Sequence, residues 1–138
     1  MGTLTQHRQI KFRAWNLVKK VMEQVGDIEW CDYDTKEIES ICTKTAKIKP
    51  PNFILMQFTG LLDKNGKEIY EDDICHVNDG FIGKKRVIVW DDNGYGWAYK
   101  IMDNIENAAG KNIQNSIKSF KYRRVNDLEI IGNIYETL

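Results

Sequence analysis

A chain of 138 residues, 42% hydrophobic and 29% charged, is long enough for one folded domain that buries roughly two-thirds of its unfolded surface without disulfide or metal staples. Four Trp, six Tyr and five Phe exclude a disordered chain. Lys plus Arg equals Asp plus Glu at 20 each, so no global positive field holds nucleic acid, and any such binding needs a local patch.

From the N-terminus, Ile10, Phe12 and Ala14 alternate with Lys11, Arg13 and Trp15, the period-2 pattern of a half-buried strand. Leu17, Val18, Val21, Met22 and Val25 then recur at helical spacing between a possible Asn16 cap and Gly26, and the same residues equally fit a turn and a strand. From Glu23 to Ile41 seven acidic residues face a single Lys36. Ile28, Trp30 and Tyr33 lie among them, which predicts short, solvent-washed strands around an Asp34-Thr35-Lys36 turn.

Pro50-Pro51 follows a basic stretch and marks the expected boundary between a β-rich N-terminal subregion, residues 1–50, and a main unit, residues 51–138, within one compact whole. Phe53 to Phe58 is a nearly continuous apolar run, as expected of a central strand. Asp63-Lys64-Asn65-Gly66 predicts a hairpin with a type I′ turn, whose two central positions need positive φ. Lys67 to Tyr70 returns antiparallel, Glu71-Asp72-Asp73 forms a polar corner, and Ile74 to Val77 is a strand with Ile74 and its neighbour two along facing inward. Asn78-Asp79-Gly80 is a turn, Arg86 to Trp90 a strand, and Asn93-Gly94 a second hairpin signal before Tyr95 to Ile101, with Tyr95, Trp97, Tyr99 and Ile101 on one face. This is a meander at the spacing of a small sandwich or barrel, mainly β in class.

Residues 103–124 break the rhythm as a long excursion, with a helical turn expected near Asn104 to Ala109 and an excess of Lys and Arg. Leu128 to Glu136 reads as a closing strand with a bulge or kink at Gly132.

Cys31, Cys42 and Cys75 are odd in number and lack a C-x-x-C pair, which argues against a disulfide framework or a zinc knuckle and fits a reducing, cytoplasmic setting. The N-terminus has no apolar signal region, the longest aliphatic or aromatic run, Val87 to Trp90, is too short to span a bilayer, and Gln6 stands where a myristoylation signal wants Ser or Thr. No membrane partner is expected.

Lys11-Phe12-Arg13-Ala14-Trp15, Met56-Gln57-Phe58-Thr59-Gly60-Leu61 with the following Asp63 to Ile74, and Ile131-Gly132-Asn133-Ile134-Tyr135-Glu136 together resemble the YopX family of phage and prophage proteins. The resemblance spans Lys11 to Glu136. It implies a mainly β protein with a small SH3-like barrel at its centre, encoded by bacteriophages or their remnants, and no established biochemical activity. It favours strand over helix for Val21 to Val25. Two positions depart from the pattern: Asp72 stands where members commonly carry Gly, which puts a positive-φ corner in doubt, and Asn16 where they commonly carry Asp.

Several residues invite chemistry. Glu71-Asp72-Asp73 with Asp91-Asp92 could hold Mg²⁺ or supply an acid and a base, but Asp and Glu also populate turns because they bond their own backbone. Cys75 and His76 are strand neighbours pointing to opposite faces, which does not make a nucleophile pair. No Gly-rich phosphate loop, G-x-S-x-G elbow or H-E-x-x-H occurs, and no catalytic residue, metal or cofactor is expected.

The expected partner-binding residues are the aromatics Tyr95, Trp97 and Tyr99, with cations near Arg86, then Arg13 beside Trp15, and Lys118, Lys121, Arg123 and Arg124 of the basic excursion. The competing reading places these rings in the core. The sequence therefore favours a non-catalytic binding module for a protein or nucleic-acid partner, against a metal-dependent hydrolase using the acidic corner and an oligomeric assembly protein built as a homo-oligomer.

Overall fold

The computed structural model describes residues 9–77, 85–101, 117–119 and 127–136, with the backbone alone at 117–119. Among them are twelve β-strands and no α-helix, so the protein is mainly β. The chain divides into two compact units, Met1–Phe58 and Thr59–Leu138, and the division falls inside one long strand.

In the first unit, β1 (Phe12–Asn16) pairs antiparallel with β2 (Val21–Gln24) on one side, and on the other with the first half of β6 (Phe53–Leu62). A three-stranded antiparallel sheet has β4 (Ile38–Cys42) between β3 (Asp27–Trp30) and β5 (Lys47–Ile48). Ala14, Ile41 and Ile48 are buried at the centre of the apolar cluster these strands share, with Ile28, Phe53 and Leu55 packed around them.

The ambiguity at residues 17–25 resolves as turn and strand. Asn16 is buried, and its Oδ1 accepts the N–H groups of Val18 and Lys19, both at 3.0 Å. Lys20, at φ 58, donates its own N–H to the Asn16 carbonyl at 2.8 Å. The Asn16 side chain and carbonyl thus close a single turn that the left-handed Lys20 ends, and Val18 projects into solvent. Strand parity at β1 also differs from expectation: Ile10 lies outside the strand and is exposed, whereas Trp15, placed on the outer face with Arg13, is buried at 7% exposure. β1 is a middle strand between β2 and β6, and Ala14, Trp15 and Asn16 are all buried, so its C-terminal end is covered on both faces.

In the second unit, the remainder of β6 is followed by β7 (Glu68–Tyr70). A five-stranded antiparallel sheet has the order β11-β10-β9-β8-β12, built from β8 (Asp73–Val77), β9 (Arg86–Asp91), β10 (Gly96–Ile101), β11 (Ile117–Ser119) and β12 (Leu128–Asn133). The core here is Ile69, Cys75, Val77, Ile88, Tyr99, Leu128 and Ile130. β8 sits between β9 and β12, and Asp73, Ile74, Cys75 and Val77 are all buried, so the predicted in-and-out alternation, with Ile74 and its neighbour two along inside, gives way to a strand covered on both faces. The closing strand carries its register shift between Ile130 and Gly132, as expected of the bulge. Within the 103–124 excursion, Ile117–Ser119 forms a strand on β10; the helical turn at 104–109 and the turn at 78–80 lie outside the described residues.

Both Asn-Gly hairpins form without the type I′ geometry. At the first, Gly66 (φ 79) alone has positive φ and donates to the Asp63 carbonyl at 3.0 Å, so a type I turn is closed by a left-handed glycine. At the second, neither Asn93 nor Gly94 is left-handed; the positive φ falls on Tyr95, at 52°.

Candidate binding surface

The β9–β10 hairpin carries the aromatic residues singled out in the sequence. Trp90 and Trp97 are direct cross-strand partners, with ring centroids 5.2 Å apart and planes at 83°, an edge-to-face pair. Ile88 and Trp90 share a strand face with Trp97 and Tyr99, and along that face exposure rises toward the tip. Tyr99 and Ile88 are fully buried in the core, Trp97 is half-buried against it, and Trp90 is 48% exposed. Tyr95, in the turn, is 84% exposed.

Trp97 therefore belongs partly to both readings, with its ring on the core and its edge against Trp90. Its Nε1 is buried without a hydrogen-bond partner among the described residues. Tyr99 and Trp15 do not present rings to solvent: Tyr99 is core, and the Arg86 guanidinium lies 5.4 Å over its ring. Arg86 is itself buried, so it adds no cation to an exposed surface. The charged residues within the turn are Asp91 and Asp92. Arg13 is half-buried in β1. Lys118 is a register partner of Tyr99 by backbone pairing, while Lys121, Arg123 and Arg124 lie outside the described residues.

The acidic corner is occupied by turn chemistry. Asp73 is buried and its Oδ2 accepts the Tyr70 N–H at 2.8 Å. Asp72 adopts φ 67, so the corner keeps its left-handed geometry with Asp in place of Gly. Its N–H donates to the Ile88 carbonyl, its carbonyl accepts from Ile134 N–H, and its Oδ2 accepts the Tyr135 hydroxyl at 2.8 Å. Asp91 Oδ1 accepts the Asn93 N–H at 3.1 Å. Among the described residues, no group of three His, Cys, Asp or Glu side chains is arranged to hold a metal ion.

Asp63, in the first hairpin, is also structural. It is buried, with Oδ1 accepting from Asn65 and Lys67 N–H at 2.8 Å each and Oδ2 from Ile130 N–H at 2.9 Å. Burial pushes its carboxyl up, but the three amide donors and the Lys67 charge outweigh that and leave it below the usual carboxylate range. Cys75 is buried, and loss of solvent pushes its thiol up to about 12, with Arg86 lowering and Asp73 raising it; as a protonated thiol at neutral pH it is not a nucleophile.

A second aromatic site escaped the sequence reading as a functional feature. At the β3–β4 tip, Trp30, Cys31, Asp32, Tyr33 and Lys36 line an open cleft of about 530 Å³. Trp30 is 53% exposed and Tyr33 98%. The available signal was two aromatic residues inside the acidic segment, which the expected solvent-washed strands absorbed without a role.

A family model described as YopX protein matches residues 11–137, nearly the whole chain. The chain belongs to the YopX family. A crystal structure of protein EF1440 from Enterococcus faecalis resembles this YopX protein with a TM-score of 0.58 at 22% identity, covering 95% of this chain and 96% of that one, a likeness of fold. No curated protein matches by sequence. Among the described residues of this YopX protein, no helix is long and apolar enough to cross a membrane.

Proposed function

We propose that this YopX protein is a non-catalytic binding module that docks a protein partner through the tip of its β9–β10 hairpin. The observation that carries this reading is Tyr95, a bulky ring held at φ 52 and 84% exposed, beside the Trp90–Trp97 pair. A left-handed tyrosine costs about 1–2 kcal/mol that Gly or Asn would avoid, and a strained, exposed aromatic at a hairpin tip points to a role in what it presents. The Asp91 and Asp92 carboxylates in the same turn favour a protein over a nucleic-acid backbone. The five-stranded antiparallel sheet of the second unit and the bulge in β12 support the SH3-like barrel reading. Family membership supports a phage or prophage setting, and three unpaired thiols support a reducing compartment, the host cytoplasm.

The test is affinity capture from phage-infected host lysate, with and without nuclease, by wild type and by a Trp90→Ala/Tyr95→Ala variant of unchanged thermal midpoint. A nuclease-resistant protein that is captured by wild type and lost by the variant is the expected result. Equal capture by both, or capture abolished by nuclease, overturns the reading.

A further inference from the structure

The β3–β4 tip carries a second surface, independent of the hairpin just described. Trp30 and Tyr33 are two large, exposed rings on one open cleft of about 530 Å³. The cleft is shaped by an ordered loop. Cys31 N–H donates to the Glu37 carbonyl at 2.9 Å, and Asp32 Oδ1 accepts the N–H groups of Asp34 and Thr35 and the Thr35 hydroxyl. Lys36 takes φ 54 to complete the turn.

The charge around these rings is predominantly negative, although Lys36 lines the cleft together with Asp32. Between Asp27 and Glu39 there are six acidic residues and one lysine. Glu29 is matched by Lys47 at 3.0 Å, whereas Asp34, Glu37 and Glu39 are exposed and have no ion-pair partner among the described residues. The Cys31 thiol, which lines the cleft, registers this field: loss of solvent and then the charges of Glu39, Glu37 and Asp32 push it up. Electron-rich ring faces flanked by unmatched carboxylates attract a planar, weakly hydrated cation, which stacks on a ring and pairs bidentately with a carboxylate. An anionic ligand meets repulsion here, and an ammonium forgoes the stacking and the fork.

We infer that the cleft between Trp30 and Tyr33 is a docking site for an arginine-bearing basic segment of a protein partner. The acids raise the encounter rate and the rings select arginine over lysine.

Fluorescence anisotropy of labelled penta-arginine, penta-lysine and penta-glutamate peptides against the full chain tests it. Penta-arginine is expected to bind saturably and more tightly than penta-lysine, with no binding of penta-glutamate. A Trp30→Ala/Tyr33→Ala variant, altered only at exposed rings, is expected to lose about tenfold in affinity for penta-arginine at unchanged thermal midpoint. A Glu37→Gln/Glu39→Gln variant is expected to weaken binding and flatten its salt dependence, while Tyr95→Ala leaves it unchanged. Absence of saturable binding, equal affinity for arginine and lysine peptides, or wild-type affinity in the Trp30→Ala/Tyr33→Ala variant overturns the inference. A loss confined to Tyr95→Ala also overturns it, by moving the cation to the other hairpin.

Discussion

At Asp63 a single carboxylate satisfies three backbone amides, two in its own turn and one in β12, 67 residues away. Removing it in Asp63→Ala strands buried N–H groups and is expected to cost about 2–4 kcal/mol in chemical denaturation. Its carboxyl lies below the unfolded value of about 3.9, so its contribution is complete above that pH and is lost as pH falls through the folded value. Asp63→Asn, with no charge to titrate, is expected to show a flatter loss of stability than wild type below about pH 4 in pH-stepped urea unfolding. Asn16 offers a second case. Its Nδ2 donates to Glu23 Oε2 at 3.0 Å, and Glu23, also held by the Thr45 and Thr43 hydroxyls, sits below its ordinary range, with the Thr45 bond the largest cause. An Asp at this position would set two carboxylates face to face, so Asn16→Asp is expected to destabilise at neutral pH by about 1 kcal/mol, and the deficit should shrink as both groups protonate in acid.

At the scale of an element, the β7–β8 corner and the tail after β12 form one clasp through Asp72. The backbone prefers glycine at φ 67, yet the aspartate side chain holds the Tyr135 hydroxyl. The two effects separate in a double-mutant cycle read by thermal denaturation. Tyr135→Phe is expected to cost about 1 kcal/mol in wild type and clearly less in an Asp72→Gly background. The β9–β10 hairpin shows the opposite balance, because its left-handed position bears a Tyr95 ring without a hydrogen-bond partner among the described residues. Tyr95→Gly is therefore expected to raise stability by about 0.5–1 kcal/mol while weakening partner capture, a trade that a purely structural tyrosine would not show.

For the whole molecule, the equality of acidic and basic residues hides an uneven distribution. The segment from Asp27 to Glu39 is acidic, and the compensating cations are concentrated in Lys44 to Lys49 and in the 103–124 segment. With a sequence pI near 6.7, solubility is expected to pass through a minimum near that pH and to recover on either side and with added salt, as measured by turbidity on a concentration series. Substitutions in the two apolar clusters are expected to be the costliest in the protein: Ile41→Ala in the first unit and Ile69→Ala in the second, both fully buried, by about 2–5 kcal/mol each in chemical denaturation.

Strand content, the order of the hairpins, the central place of Phe53 to Phe58 and the bulge near Gly132 were legible in the sequence, because period-2 patterning and turn residues are local properties. The three family motifs were legible as a set, and the structure explains the second and third as turn chemistry: Asn133 accepts the amides that follow β12, Gly60 adopts φ 86 within β6, and Asp63 ties its hairpin to β12. Which aromatic residues face solvent was not legible. Trp15 and Tyr99 stand at strand positions that an exposed ring could also take, and it is the assembled structure that buries them, Tyr99 in a core with Ile69, Ile88 and Leu128. Trp30, Tyr33, Trp90 and Tyr95 stay exposed because they stand at hairpin tips and strand ends that no other described residues cover, a property of how the strands are assembled and not of any local pattern.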